Sequence, residues 1–276
     1  MRPDRRGLLL GAAAGFVARP ALAQDDGLQL RGRFVQGGSV VGRTWPRALI
    51  FVDGEALTAA SADGWFVVGF DYESAGSVQI EARSGDRSVS RTVSIARGDF
   101  PTSTVNGLPA ATVDAPDDPA LQALIAEQVA VKTEAFASRI DADGFRDGFV
   151  WPLEAFRITS RWGARRILNG TPARPHFGID LAAPQGTVIR APAPGRVALA
   201  QADMHFEGGL VLLDHGQGLI TAYLHQSRLA VTTGQTVSRG DALGRVGMTG
   251  RATGPHLCWR MKWRDRNMNP ALLVGI

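Results

Sequence analysis

The 276-residue chain is 45% apolar and 20% charged, the balance of a globular protein that buries a core, which excludes disordered and collagen-like chains. Its formal charge of +4 is concentrated at the start, where Arg2, Arg5, Arg6 and Arg19 against Asp4 give residues 1–23 a net +3. The remainder carries +1 and implies no nucleic-acid partner. One cysteine, Cys258, excludes an internal disulfide.

Taken in chain order, the first segment reads as an address. Arg2, Arg5 and Arg6 precede an apolar run from Leu8 to Val17, and Ala21-Leu22-Ala23 supplies a small-x-small cleavage pattern. The run is too short to span a bilayer. Residues 1–23 are therefore expected to be a signal peptide, with Gln24 as the mature N-terminus and no transmembrane segment in the mature chain. The Arg5-Arg6 pair suggests the twin-arginine route, and a Sec signal would also tolerate it. The expected location is the periplasm or cell envelope.

Residues 24–98 read as an accessory β-sandwich. Ala48–Val52 ends in Asp53-Gly54, Trp65–Phe70 follows Asp63-Gly64, and alternating runs around Val78–Ala82 and Val89–Ile95 flank Gly85. No cluster of His, Cys or carboxylates falls within it, so a binding or spacer role without chemistry is expected. Residues 99–148 read as a linker followed by a helix. Asp99–Asp118 is rich in Pro, Thr, Ser and Ala without periodicity, and Asp118-Pro119 supplies an N-cap and first-turn pair. Leu121, Leu124, Ile125, Val129, Phe136 and Ile140 recur at helical spacing, predicting a helix from Pro119 to Ile140 that packs across one domain.

From residue 149 the composition shifts to Gly, Pro and β-formers, and all five histidines lie in this last part. Strands are expected at 186–192, 195–199, 210–214, 219–225, 242–246 and 256–263, with Gly216-Gln217-Gly218 closing a hairpin. The fold class is mainly β: a small N-terminal antiparallel sandwich, a connecting helix and a C-terminal antiparallel β domain.

The stretch 256–263 alternates strictly. Leu257, Trp259, Met261 and Trp263 share one side, while His256, Cys258, Arg260 and Lys262 share the other, which is expected to face away from the core. His256 and Cys258 are thus about 6.5 Å apart at Cα, close enough for one to ligate a metal while the other reaches a water beside it. His176 and Asp180 would lie about 13 Å apart on a straight strand, so two ligands there need a bend, and Gly178 is the residue expected to supply its dihedrals. His225 ends a strand whose same face carries Thr221 and Tyr223. His205 and His215 fit no such geometry and read as structural or exposed, and Arg260 and Lys262 as a solvated basic edge or a contact for anionic substrate groups.

Together, Gly163-Ala164-Arg165-Arg166, Asn169-Gly170-Thr171-Pro172, His176-x-Gly-x-Asp180, Ala-Pro-x-Gly-Thr at 183–187, Asp214-His215-Gly216, Tyr223-x-His225 and Gly254-Pro255-His256-x-Cys258 carry a resemblance. Over about residues 150–270 the chain resembles the lysostaphin and LytM zinc metalloendopeptidases, which cleave peptidoglycan. The resemblance implies a groove in the 149–276 domain, Zn2+ as cofactor, His176 and Asp180 as metal ligands, and His225 and His256 as the histidines that handle water and stabilise the oxyanion. Asn169 matches a family asparagine near the metal. Cys258 stands where the family has its last ligand, a histidine. A thiolate binds zinc well, at about 2.3 Å, but together with Asp it cancels the metal charge.

Three readings follow. The first is an exported zinc endopeptidase acting on peptidoglycan peptides. The second is a catalytically degenerate relative that binds or regulates another cell-wall hydrolase. The third, a cysteine peptidase with Cys258 as nucleophile and His256 as base, is weak, because same-strand neighbours point in parallel rather than toward each other.

Overall fold

The computed structural model describes residues 27–106 and 118–276. The segment 1–23, expected to be a signal peptide, and the middle of the expected linker lie outside the described residues. The first seven strands are β1 (Gln29–Gly32), β2 (Ser39–Arg43), β3 (Leu49–Val52), β4 (Glu55–Ala59), β5 (Trp65–Gly69), β6 (Ser77–Ser84) and β7 (Arg87–Ser94). They form two antiparallel sheets, ordered β1-β2-β5 and β4-β3-β6-β7. Alternation explains the packing, since Val78, Ile80 and Ala82 of β6 are buried while Gln79 between them is exposed. The expected sandwich is what the chain builds.

The stretch expected to be linker contributes a strand, β8 (Thr102–Val105). It pairs in parallel with β10 (Ala164–Leu168), which in turn pairs antiparallel with β11 (Thr171–His176), while β9 (Arg157–Ser160) lies in another sheet. Three of the four residues, Thr102, Thr104 and Val105, are β-branched and suit this, although the run alternates too weakly to stand out in sequence. The helix α1 (Pro119–Phe136) also departs from expectation. The Asp118 side chain caps it by accepting from the Ala120 amide at 2.9 Å, but it ends four residues before Ile140. Its apolar stripe is largely uncovered: Ala135 is buried, while Leu124 and Val129 are 44% and 48% exposed. Contact with the body comes from the later turns, so burial of the stripe is not what holds the helix. Among the described residues no helix is long and apolar enough to cross a membrane.

The remaining strands are β12 (Ile179–Ala182), β13 (Val188–Arg190), β14 (Gly195–Met204), β15 (Gly208–Asp214), β16 (Leu219–Leu229), β17 (Thr236–Val237), β18 (Ala242–Val246), β19 (His256–Trp263) and β20 (Arg266–Met268). Together with β9 they build a ten-stranded sheet whose main path runs β17-β14-β15-β16-β19-β12-β9. Strand β16 changes partner along its length, with Leu219–Leu224 pairing β19 and Gln226–Leu229 pairing β18. His225 sits at that changeover with φ of 66°, a conformation a non-glycine residue adopts only when its surroundings hold it there.

One face of β19 is fully buried and the other is buried at Cys258 and partly covered at His256, Arg260 and Lys262. Leu257, Trp259, Met261 and Trp263 enter a cluster that also holds Val40, Phe66 and Ile80 of the sandwich, so the two β units share one apolar core. The opposite face corrects the sequence expectation. Cys258 is 1% exposed and packs in a second cluster with Leu199, Leu210, Leu212, Ile220, Ala222 and Leu224, closed over by Ala135 and Phe136 of α1. Strand parity separates the two sides correctly but cannot show that a helix and neighbouring strands cover the second one.

Candidate metal centre

Asp180 on β12 lies directly opposite Cys258 on β19, and two pairs along, Ala182 faces His256. Directly paired side chains on one face stand about 4.5–5.5 Å apart at Cβ, so register alone brings carboxylate and thiol together. His176 ends β11 and Asp180 follows in β12, so the chain bends at Phe177-Gly178. Gly178 does not use a positive φ there, and the reason for glycine is space rather than dihedrals. A Cβ at that position would stand 2.7 Å from Cys258 Sγ and 3.1 Å from His176 Nε2.

The donor atoms of His176, Asp180 and Cys258 all lie within 4.8 Å of one another. Nε2 of His176 is 3.4 Å from Cys258 Sγ and 3.4 Å from Asp180 Oδ1. Tetrahedral coordination with bonds of about 2.0–2.3 Å requires donors roughly 3.3–3.6 Å apart, so both separations from His176 already match an edge of such a site. Asp180 Oδ1 is buried without a hydrogen-bond partner, whereas Oδ2 accepts from Arg166 at 3.3 Å. A buried carboxylate oxygen left unpaired is costly, and a cation between it, the imidazole and the sulfur would satisfy it. The donor set therefore fits a divalent metal.

Supporting groups orient the donors. Ser160 Oγ meets His176 Nδ1 at 3.1 Å and turns Nε2 inward, and the same hydroxyl accepts from Arg166 at 3.4 Å. Burial, then the nearby charges of Arg166 and Arg260, hold the His176 pKa well below its ordinary value, so the ring is neutral with a lone pair to give. Burial pushes the Cys258 thiol up to about 12 against the opposing pull of Arg260, so the sulfur becomes a thiolate donor only when a cation displaces its proton.

His225 and His256 face each other beside this cluster, with ring centroids 4.7 Å apart. Each bonds a backbone carbonyl through Nδ1 at 2.8 Å, His225 to Thr249 and His256 to Gly254. A carbonyl can only accept, so Nδ1 carries the proton and Nε2 of the neutral ring is the basic atom. Burial first, then the His256 charge, lowers the His225 pKa to about 3. His256 Nε2 lies 3.8 Å from Asp180 Oδ1.

Other sequence candidates fall elsewhere. Asn169 is exposed at the turn between β10 and β11, with φ of 48°. His205 is half-buried in the loop after β14, where its amide donates to Gln128 of α1 at 2.8 Å. His215 is fully buried in a chain in which Nδ1–H donates to Pro194 O and Nε2 accepts from Thr221, each at 2.8 Å. The Lys262 ammonium lies over the Phe136 ring at 5.2 Å. Arg260 is no solvated edge: its Nε–H donates to Cys258 Sγ at 3.4 Å. Ser160 and the role of Arg166 gave no sequence signal, because each reaches the site from another strand.

The sequence profile of peptidase family M23 matches residues 174–270, which span every donor and both histidines. The chain carries an M23 peptidase domain. The peptidoglycan DD-endopeptidase ShyA of Vibrio cholerae is 38% identical over 121 residues, covering 43% of this chain and 28% of that relative. The cell division protein DipM of Caulobacter vibrioides is 36% identical over 156 residues, covering 54% of this chain and 24% of DipM. The chain thus spans about a quarter of the length of these curated relatives. A solved structure from Pseudomonas aeruginosa assigned to peptidase M23 aligns over 88% of this chain and 96% of its own, with a TM-score of 0.68 and 29% identity. That alignment takes in the sandwich as well as the M23 domain.

Proposed function

We propose that this chain is an exported zinc endopeptidase that hydrolyses peptide bonds in peptidoglycan. The observation that carries the reading is the convergence of His176, Asp180 and Cys258, their donor atoms within 4.8 Å of one another, with an unpaired Asp180 oxygen, beside two histidines whose Nε2 atoms are free of backbone bonds. The names of ShyA and DipM support a cell-envelope setting, and the N-terminal segment supports export.

Zinc bound by His176, Asp180 and Cys258 would polarise the scissile carbonyl and favour ionisation of the attacking water. The chain's own residues do the rest. Either histidine, neutral at Nε2, takes the proton of the attacking water, and its neighbour donates a hydrogen bond to the carbonyl oxygen as charge develops there. The backbone bonds of Thr249 and Gly254 fix both rings in the tautomer this needs. Ser160 and Arg166 hold His176 and Asp180 in place.

The test incubates the purified chain with cell-wall sacculi and separates the released fragments chromatographically. Release should stop with a chelator, return with Zn2+, and be lost in His256→Ala while bound metal persists. Release indifferent to both chelation and His256→Ala would refute the proposal.

A further inference from the structure

Arg260 follows Cys258 by two residues on the same side of β19, and its guanidinium is turned back along the strand rather than out to solvent. The path of the side chain is fixed by the missing side chain of Gly178, where a Cβ would stand 3.0 Å from Arg260 Cγ. So placed, Nε–H donates to Cys258 Sγ at 3.4 Å, a normal N–H···S length. Besides the Asp180 carboxylate, the sulfur thus meets the Arg260 donor and His176 Nε2, both at 3.4 Å.

Charge accounting gives this contact a purpose. Asp180 and a Cys258 thiolate supply two negative charges and His176 none, so a divalent cation held by the three is fully neutralised and becomes a weak Lewis acid. A hydrogen bond to a metal-bound thiolate draws electron density off the sulfur and leaves the metal more electrophilic. The guanidinium also adds one permanent positive charge at the ligand that most reduces the metal's charge. Asp180 has its own cation in Arg166, at 3.3 Å, so each anionic ligand is matched by one arginine.

We propose that Arg260 tunes the Cys258 sulfur as a metal ligand, its Nε–H bond and charge restoring the Lewis acidity that a thiolate would otherwise remove. Arg260 is a positioning residue, since it acts on the metal through Cys258 and touches no reacting atom. The inference rests on the metallopeptidase reading above.

The experiment uses the full chain loaded with Co2+, whose sulfur-to-cobalt charge-transfer band reports on the sulfur directly. One equivalent of Co2+ should bind and give a band that disappears in Cys258→Ala. Absence of the band in the unaltered chain would refute the metal-site reading itself. With the band present, Arg260→Met should keep the bound Co2+ and move the band to lower energy, because sulfur lone pairs no longer stabilised by the N–H donor ionise more easily. Zn2+-supported hydrolysis should fall about tenfold in kcat with KM little changed. In a Cys258→His background the same Arg260→Met change should alter kcat less than about twofold. Arg260→Lys, which keeps the charge and loses Nε–H, serves as a second variant should Arg260→Met fail to fold, and should give a smaller shift of the same sign. An unmoved band in the folded Arg260 variants, or an equal kcat loss in the Cys258 and His backgrounds, would overturn the proposal.

Discussion

Substituting Gly178→Ala tests the donor cluster with a single methyl group. The new carbon would stand 2.7 Å from Cys258 Sγ, 3.0 Å from Arg260 Cγ and 3.1 Å from His176 Nε2. Non-bonded heavy atoms settle at about 3.5 Å or more, so the sulfur has to retreat by roughly 0.8 Å and the imidazole by roughly 0.4 Å. Metal–ligand distances tolerate only about 0.2 Å, so two of the three donors leave bonding range unless the whole bend moves. The fold itself should survive, because crowding one methyl into a packed site costs about 1–3 kcal/mol. Expected is a chain that unfolds cooperatively in urea with that modest loss, yet binds Zn2+ at least about 100-fold more weakly in competition with a chelating dye, beyond the usual effect of removing a supporting group. A Gly178→Ala chain that holds Zn2+ within about threefold of the original affinity would refute the geometry on which the site is built.

His215 gives a prediction in pH. Burial holds its pKa down to about 4 against an ordinary 6.5, so the fold favours the neutral ring. The stability it contributes is complete above pH 6.5 and is lost as pH falls toward 4, a total of about 3 kcal/mol. Urea unfolding between pH 4 and 7 should show this loss, and His215→Gln should reduce the slope by close to one proton. At the back of the site, Lys132 of α1 pairs with Glu207 at 2.5 Å, with side chains 17% and 13% exposed. Lys132→Met should cost about 3 kcal/mol by leaving that carboxylate buried and unpaired, and adding Glu207→Gln should recover much of it, which a double-mutant cycle in urea measures. Tyr72→Ala removes a half-buried ring stacked on Phe100 at 4.1 Å. Calorimetry should show about 2 kcal/mol of lost stability, and dye competition a weaker hold on Zn2+, because Phe177 beside His176 loses a neighbour.

Much of the fold was legible because burial imposes simple periods. Strands β18 and β19 fall at the expected residues, and Gly216-Gln217-Gly218 closes the β15–β16 hairpin as its turn chemistry predicts. Strands β10 and β11 were not legible. Pro172 and Pro175 interrupt the second, and its first four residues are exposed, so neither propensity nor alternation marks it. The helix shows the opposite failure, since an apolar stripe at helical spacing is present in sequence but the chain leaves most of it uncovered. At the site, the side on which Cys258 lies could be read from parity, whereas its burial depends on Leu210, Leu212 and Ala135, which come from elements far away in sequence. Arg260 shows the limit most sharply. Spacing placed it on the right side of the strand, but only the empty volume at Gly178 explains why it turns toward sulfur.

The accessory sandwich is better understood as part of the centre than as a spacer beside it. His176 is the one donor outside the β12–β19 register, and its position depends on what packs against the bend that follows it. Its carbonyl accepts from the Gly163 amide at 2.8 Å, and Gly163 in turn leaves room for Phe100 and Tyr72, where a Cβ would come within 2.5 Å and 3.2 Å of those rings. Tyr72 meets Phe177 edge-on at 5.5 Å, and Trp162 closes the cluster at 5.8 Å from Phe177 and 5.7 Å from Phe100. Tyr72 belongs to the sandwich and Phe100 to the segment that follows it, and both precede the 174–270 stretch in which all the donors lie. An imidazole must be held to a few tenths of an ångström to ligate a metal, and this aromatic cluster supplies that rigidity from outside the family-matched segment. The shared core explains why it can: Val40, Phe66 and Ile80 of the sandwich lie in one continuous apolar cluster with Leu257, Trp259 and Trp263, so the sandwich has no free hinge along which to move away from the site.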